Sequence, residues 1–323
     1  MVRHCIALAA LGVVLTTPAG PAGAEEWPAH PVRIVNTFAP GGAADVLARI
    51  VAERLTRAFG QQFFVETRVG AGGLVGVQSI ADTDPDGYNF VITTLSLNVI
   101  APIINPKAGS VVRELTNIAY IAGSPIVLVV NPNMDVDNLS DFITYAKRNA
   151  RPLTYSSSGV GSNGQLVAEL FAHKAGIRIE HVPYKGASQG LMDLLGGHIA
   201  FSSQTLSSAS GAIRARSLVP LAHTGSARIP DYPDVPTFKE LGYPELVTTN
   251  WFALAGPAGL PKEIVGQINR EIVAAMAEPE VQERLRQDGL TTEPMDAETF
   301  NKFVESEVAK WRPVVNWLGL SDQ

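Results

Sequence analysis

Two stretches of this chain repeat one plan: a short strand-like run, a glycine-rich loop, then a helix-like run. The loops are Phe38-Ala39-Pro40-Gly41-Gly42 and Ser158-Gly159-Val160-Gly161-Ser162-Asn163-Gly164. Strands feeding helices through tight glycine turns build open α/β sheets, whose ligands lie beyond the carboxyl ends of the strands. A helix opening at such a loop presents free backbone N–H groups and about half a positive charge, which suits an anion. Two such ends on one cleft would clamp a small anion from both sides.

The rest of the chain follows the same alternation. Strand patterns occur at 32–35, 63–66, 90–93, 126–130, 153–155, 198–201, 217–223 and 251–255. Between the earlier strands, Asp45 to Phe59 carries Leu47, Ile50, Val51 and Leu55 at helical spacing and stops at Gly60. Helical spacing recurs at 74–82, 139–150, 163–175 and 187–195. Asp296 caps a long final helix that Pro313 is expected to kink or break. The repeat predicts a two-lobed α/β fold, each lobe a mainly parallel sheet with flanking helices. Domain 1 takes residues 25–125 and 256–323, domain 2 takes 131–250, and the chain crosses at 126–130 and 251–255.

Residues 1–24 read as an export signal: Arg3 precedes the apolar run Cys5–Leu15, and Ala22-Gly23-Ala24 supplies the small residues of a cleavage site. The apolar run is shorter than the ~20 residues a membrane span needs. Cleavage removes Arg3 and the only cysteine, so the exported chain is more acidic than the full-length net charge of −6 and has no disulfide or thiolate metal site. An acidic balance argues against nucleic acid, which needs a basic stripe. It does not argue against a small anion, because desolvated N–H groups act locally where net charge is screened.

The second loop also matches the dinucleotide fingerprint G-x-G-x-x-G, with Glu180 about 20 residues further on. Against a nicotinamide oxidoreductase stand the serines Ser156-Ser157-Ser158 before the loop, where an apolar run is usual, and the export signal. No metal-ligating cluster, nucleophile elbow or catalytic acid–base pair stands out, so neither a catalytic residue nor a cofactor is expected. Asp45, in the first turn of its helix, reads first as a dipole partner.

Several longer motifs resemble one family. Trp27-Pro28, Pro31-Val32-Arg33-Ile34-Val35, Phe38–Gly42 with Asp45, and Gly70-Ala71-Gly72-Gly73 fit it, as do His181-Val182-Pro183-Tyr184-Lys185-Gly186, Asp234-Val235-Pro236-Thr237 and Trp251-Phe252. Together they resemble the Bug family, periplasmic receptors of tripartite tricarboxylate transporters, over essentially the whole mature chain. The resemblance implies a hinge-closing, non-catalytic, monomeric receptor. It would bind a di- or tricarboxylate, an acidic amino acid or an aromatic carboxylate, and pass it to membrane permease subunits; a role in sensing, through a membrane histidine kinase, is the alternative. By position it nominates Phe38, Ala39, Pro40, Gly41, Gly42 and Asp45, then Ser157, Ser158, Gly159, Gly161, Ser162 and Asn163, with Thr94, Gln204 and Thr224 at later strand ends. The chain departs from the family pattern at Asn36-Thr37, Thr67, Val69 and Gln165, and in the stretch 110–115.

Overall fold

The computed structural model describes residues 27–320, so the expected export signal lies outside the described residues. The first half runs β1 (Val32–Asn36), α1 (Ala43–Phe59), β2 (Phe63–Thr67), α2 (Leu74–Ala81) and β3 (Asn89–Thr94). A π-helical turn (Ser96–Ile100) leads into α3 (Ala101–Ile104) and α4 (Pro106–Arg113), and then into the long strand β4 (Leu115–Val130). The second half runs α5 (Leu139–Arg148), β5 (Leu153–Ser157), α6 (Asn163–Ala175), β6 (Ile179–Pro183), α7 (Ala187–Leu195), β7 (Phe201–Thr205), α8 (Leu206–Arg214) and β8 (Val219–His223). The chain returns through β9 (Thr249–Pro257) and closes with α9 (Lys262–Met276), α10 (Pro279–Gln287) and α11 (Ala297–Trp317).

The strands form one curled sheet in the order β2-β1-β3-β9-β4-β7-β5-β6, with β8 also on β4. Pairing is parallel on the outside of each lobe, β2-β1-β3 and β6-β5-β7, and antiparallel wherever β4 and β9 run. β4 belongs to both lobes: Leu115–Pro125 pair with β9, whereas Ile126–Val130 pair with β7 and β8. The change of partner falls at Pro125, which has no N–H to continue a ladder.

Residues 251–255 run inside the first lobe, where Phe252–Ala255 pair with Thr94–Val91. The second passage between lobes is at Thr248, whose N–H donates to Thr224 O at 3.0 Å. Thr224 staples both passages: its hydroxyl donates to Thr248 O at 2.7 Å and accepts from Ile126 N at 2.9 Å.

Each lobe has its own core. One packs α1 and α9 on the first half-sheet around Leu47, Val51, Phe90, Leu254 and Ile272; the other gathers Phe142, Tyr155, Phe171, Phe201 and Phe238. Helix α11 runs through Pro313 without breaking. Trp311 and Val315 are buried on either side of it, so packing holds both segments in one helix although one backbone bond is lost.

Candidate anion-binding site

Three helices open toward one small cavity between the lobes. It measures about 40 Å³ and is lined by Gly42, Ala43 and Ala44 of α1, Ala187 of α7, and Thr205 and Ser208 of α8. Phe38, Ala39, Thr94, Ser96, Ser158, Gln204, Asn250 and Phe252 complete the wall. In all three helices the N-cap residue (Gly42, Gly186, Thr205) makes no side-chain capping bond. Their positive ends therefore converge on a cavity that no Asp, Glu, Lys or Arg lines.

Two buried amides face the same space with atoms unsatisfied: Gln204, 2 % exposed, has a free Nε2 donor, and Asn250, 7 % exposed, a free Oδ1 acceptor. A buried donor without a partner costs ~1–3 kcal/mol. Gln204 Nε2 thus stands as an unpaired donor on the cavity that the three helix N-termini line.

A second, larger cavity of about 360 Å³ adjoins the first; Phe38, Ser96 and Ser158 line both. Its walls are the Gly70–Leu74 loop, α3, the second glycine loop and Pro183–Lys185.

The first loop is held from behind. Asn36, one of the departures from the family pattern, closes a local turn: its side chain donates to Phe38 O at 2.9 Å and accepts from Phe38 N at 3.2 Å. Asp45 is buried and accepts from Gly41 N at 3.2 Å and from Arg49 at 3.1 and 3.2 Å. It fixes the loop and lies outside both cavities.

The second loop is knitted from within. Gln165, another departure, accepts from Gly161 N at 2.7 Å, and Ser162 caps α6 by accepting from Gln165 N. Ser157 Oγ receives Gly159 N–H and lies 2.7 Å from His181 Nε2. Burial pulls the His181 pKa down to about 4, so this imidazole is neutral. Gly164 packs so tightly on β7 that a Cβ would stand 2.2 Å from Ser203 O. The third glycine of the dinucleotide-like run thus serves helix–strand packing.

The lobes meet through backbone and hydroxyl groups. Ala39 N donates to Lys185 O at 3.1 Å, Ala43 N to Ser208 Oγ at 3.3 Å, and Asn163 N to Ser96 Oγ at 2.9 Å.

Of the residues nominated from sequence, Phe38, Ala39, Gly42, Thr94, Ser158 and Gln204 come together on the small cavity. Gly159, Gly161 and Ser162 line the large one, with Phe38 and Ser158 on both. Pro40, Gly41, Asp45, Ser157, Asn163 and Thr224 line neither. Sequence reasoning missed Ser96, Asn250, Thr205 and Ser208, along with the α7 and α8 termini. Gly186 and the serine run after Gln204 were the available signals, since neither helix begins with a strong side-chain cap.

The family profile described as "Tripartite tricarboxylate transporter family receptor" matches residues 47–320. Protein BugT of Bordetella pertussis is 33% identical over 316 residues, covering 97% of each chain. An R. palustris protein solved with adipate superposes with a TM-score of 0.88 at 32% identity, over 91% of this chain and 99% of its own. MatC from Rhodopseudomonas palustris, solved with bound malate, gives 0.84 at 26% identity, over 90% and 100%. Among the described residues no helix is long and apolar enough to cross a membrane. This chain belongs to the tripartite tricarboxylate transporter receptor family, the Bug family of periplasmic solute-binding proteins.

Proposed function

We propose that this protein captures a small organic carboxylate at the small cavity between the lobes and delivers it to the permease of a tripartite tricarboxylate transporter. The observation that carries the reading is the convergence of three uncapped helix N-termini with the free Gln204 Nε2 on one charge-free cavity. Such a site neutralises a carboxylate with oriented N–H groups and needs no cation, which fits the acidic chain. Relatives of similar fold solved with adipate and malate support the carboxylate class.

Capture by closure requires neither catalytic group nor cofactor. A nicotinamide role is disfavoured because the N–H groups of Gly161 and Asn163 are already spent on Gln165 and Ser96, leaving no open phosphate cradle. The hinge of this reading is the pair of passages at Ser124–Ile126 and Thr248–Asn250. Residues 1–24 direct export to the periplasm and are cleaved, and the protein works as a monomer.

A thermal-shift and calorimetry panel of carboxylates tests this. A true ligand at 100 times its dissociation constant adds ~2.7 kcal/mol, roughly 5–10 °C for a chain of this size. It should also shrink the scattering radius as the lobes close. A panel of malate, adipate, glutamate and benzoate that shifts nothing at millimolar concentration counts against the reading.

A further inference from the structure

The lobes touch at two places where a glycine stands in the contact. The first adjoins the small cavity, which Ala39 and Ala187 line from opposite lobes. Here Ala39 N donates to Lys185 O and Ser188 Oγ donates to Pro40 O, both at 3.1 Å. Gly186 lies inside this contact. A Cβ there would stand 3.0 Å from Ala39 N and 3.1 Å from Ala39 Cβ, closer than the 3.4–4 Å of ordinary van der Waals contact.

The second contact adjoins the larger cavity, where Gly72 of the first lobe faces the β5–α6 loop of the other. A Cβ on Gly72 would stand 3.1 Å from Val160 O, and one on Gly159 would stand 3.6 Å from Gly72 Cα. The atoms struck at both places are backbone atoms or a methyl, which cannot rotate aside as a long side chain can. Glycine permits this close approach of two backbones. The requirement is local to the lobe contacts: Gly176, with φ +64° against +63° at Gly72, has nothing within 4 Å of a Cβ.

We propose, resting on the capture-by-closure reading above, that Gly72 and Gly186 are closure stops: positioning residues that set how near the lobes come. The small cavity is shared by α1 of one lobe and by α7 and α8 of the other. An anion therefore meets both sets of donors only at one lobe spacing, and hydrogen bonds weaken steeply as they lengthen and tilt. A methyl at either glycine forces its neighbour to give by a few tenths of an ångström. It holds the cleft ajar, lengthens the bond from Ala39 to Lys185 and speeds release of whichever acid is bound.

Calorimetry and stopped-flow release with malate, adipate, glutamate and benzoate test this, together with a spin-label distance between the lobes. The labels go on Gln267→Cys and Lys147→Cys; the one native cysteine, Cys5, lies in the expected export signal. For each acid that binds, Gly72→Ala and Gly186→Ala should each lower affinity at least about tenfold, chiefly through faster dissociation. Both should leave the acid-saturated lobes further apart than in the unsubstituted protein. Gly176→Ala carries the same backbone strain without the contact, so it should lower the unfolding midpoint and keep affinity within about twofold. Ala39→Gly added to Gly186→Ala should recover part of the loss, because it removes one of the two clashes. Unchanged affinity and distance in Gly72→Ala and Gly186→Ala, or a loss no greater than that of Gly176→Ala, would overturn the closure stops while the carboxylate reading stands. An interlobe distance that no bound acid changes in the unsubstituted protein would overturn closure and the stops together. Binding of none of the four acids would overturn the carboxylate reading as well.

Discussion

The two glycine loops look alike in sequence and do different work. In the β1–α1 loop the N-cap is Gly42, with no side chain of its own to satisfy the helix; Ala43 N reaches Ser208 Oγ of the other lobe, and Gly42, Ala43 and Ala44 line the small cavity. In the β5–α6 loop Ser162 caps the helix, Gln165 takes Gly161 N–H and Ser96 takes Asn163 N–H. The support also differs: an ionic brace, Asp45 with Arg49, behind the first loop, and a neutral hydroxyl–imidazole network, Ser157 with His181, behind the second. A helix end binds an anion only if its donors are not already used. On the function proposed above the first loop is the anion end: α1, α7 and α8, whose N-cap residues make no side-chain capping bond, line the small cavity and α6 does not.

The largest expected effect comes from supplying the first loop with the cap it lacks. Gly42 has φ −88° and room for a Cβ, with nothing nearer than 3.8 Å. Gly42→Asp would place a carboxylate on the α1 donors, since Asp is a favoured N-cap. Binding should fall by two orders of magnitude or more, ~2.7 kcal/mol, without lowering the unfolding midpoint. Retained affinity in titration calorimetry would move the anion away from α1.

Next is Gln204→Leu, which deletes the free buried donor. Hydrogen bonds to charged groups contribute ~1.5–3 kcal/mol, so affinity should drop roughly ten- to hundredfold. The ligand-free protein should be no less stable, because an unsatisfied donor has been removed. A stability loss with unchanged affinity would mean that Gln204 serves packing alone.

Changes behind the second loop should show the reverse balance. Gln165→Ala strands the Gly161 N–H and should destabilise by ~1–3 kcal/mol; Ser162→Ala should cost ~1 kcal/mol. Affinity for a short monocarboxylate should stay within about twofold in both, given that α6 does not line the small cavity. Denaturant titration paired with calorimetry separates the two readouts, and a large affinity loss would restore a symmetric clamp.

The smallest effect is on pH dependence. Burial lowers His181 from 6.5 to about 4, and His223 likewise to about 4. Between these values the unfolded chain binds protons that the folded chain does not. Their contribution to stability is therefore complete above pH 6.5 and falls as pH drops toward 4. Unfolding midpoints measured from pH 7 to 4.5 should decline, and His181→Gln should flatten part of the slope. An unchanged slope would remove His181 from the support of the second loop.

Local pattern carried much of the fold. The αL glycines Gly60 and Gly176 end α1 and α6, Asp296 caps α11 by accepting from Thr299 N, and the period of Leu47, Val51 and Leu55 marks the buried face of α1. These signals lie within a few residues of what they control, so the chain alone reveals them. β4 was legible only over 126–130, because Gly123, Ser124 and Pro125 interrupt its apolar run at the place where it changes partners. The helical segment 96–113 carries no clear period, being set by its packing against α11 and the first sheet.

The same division holds for the site. Sequence by itself determined the two-lobed α/β plan and, through its motifs, the receptor family, and it nominated the first glycine loop as an anion end. It also supplied Gln204 at a strand end. Tertiary structure alone decided which helix ends keep free donors: Ser96 and Ser208 each accept an N–H from the opposite lobe, and Asn250 reaches the cavity from beyond the second passage. Whether a donor is free depends on partners more than 60 residues away in the chain, and a linear pattern of residues does not encode that pairing; only the packed lobes bring the partners within bonding distance.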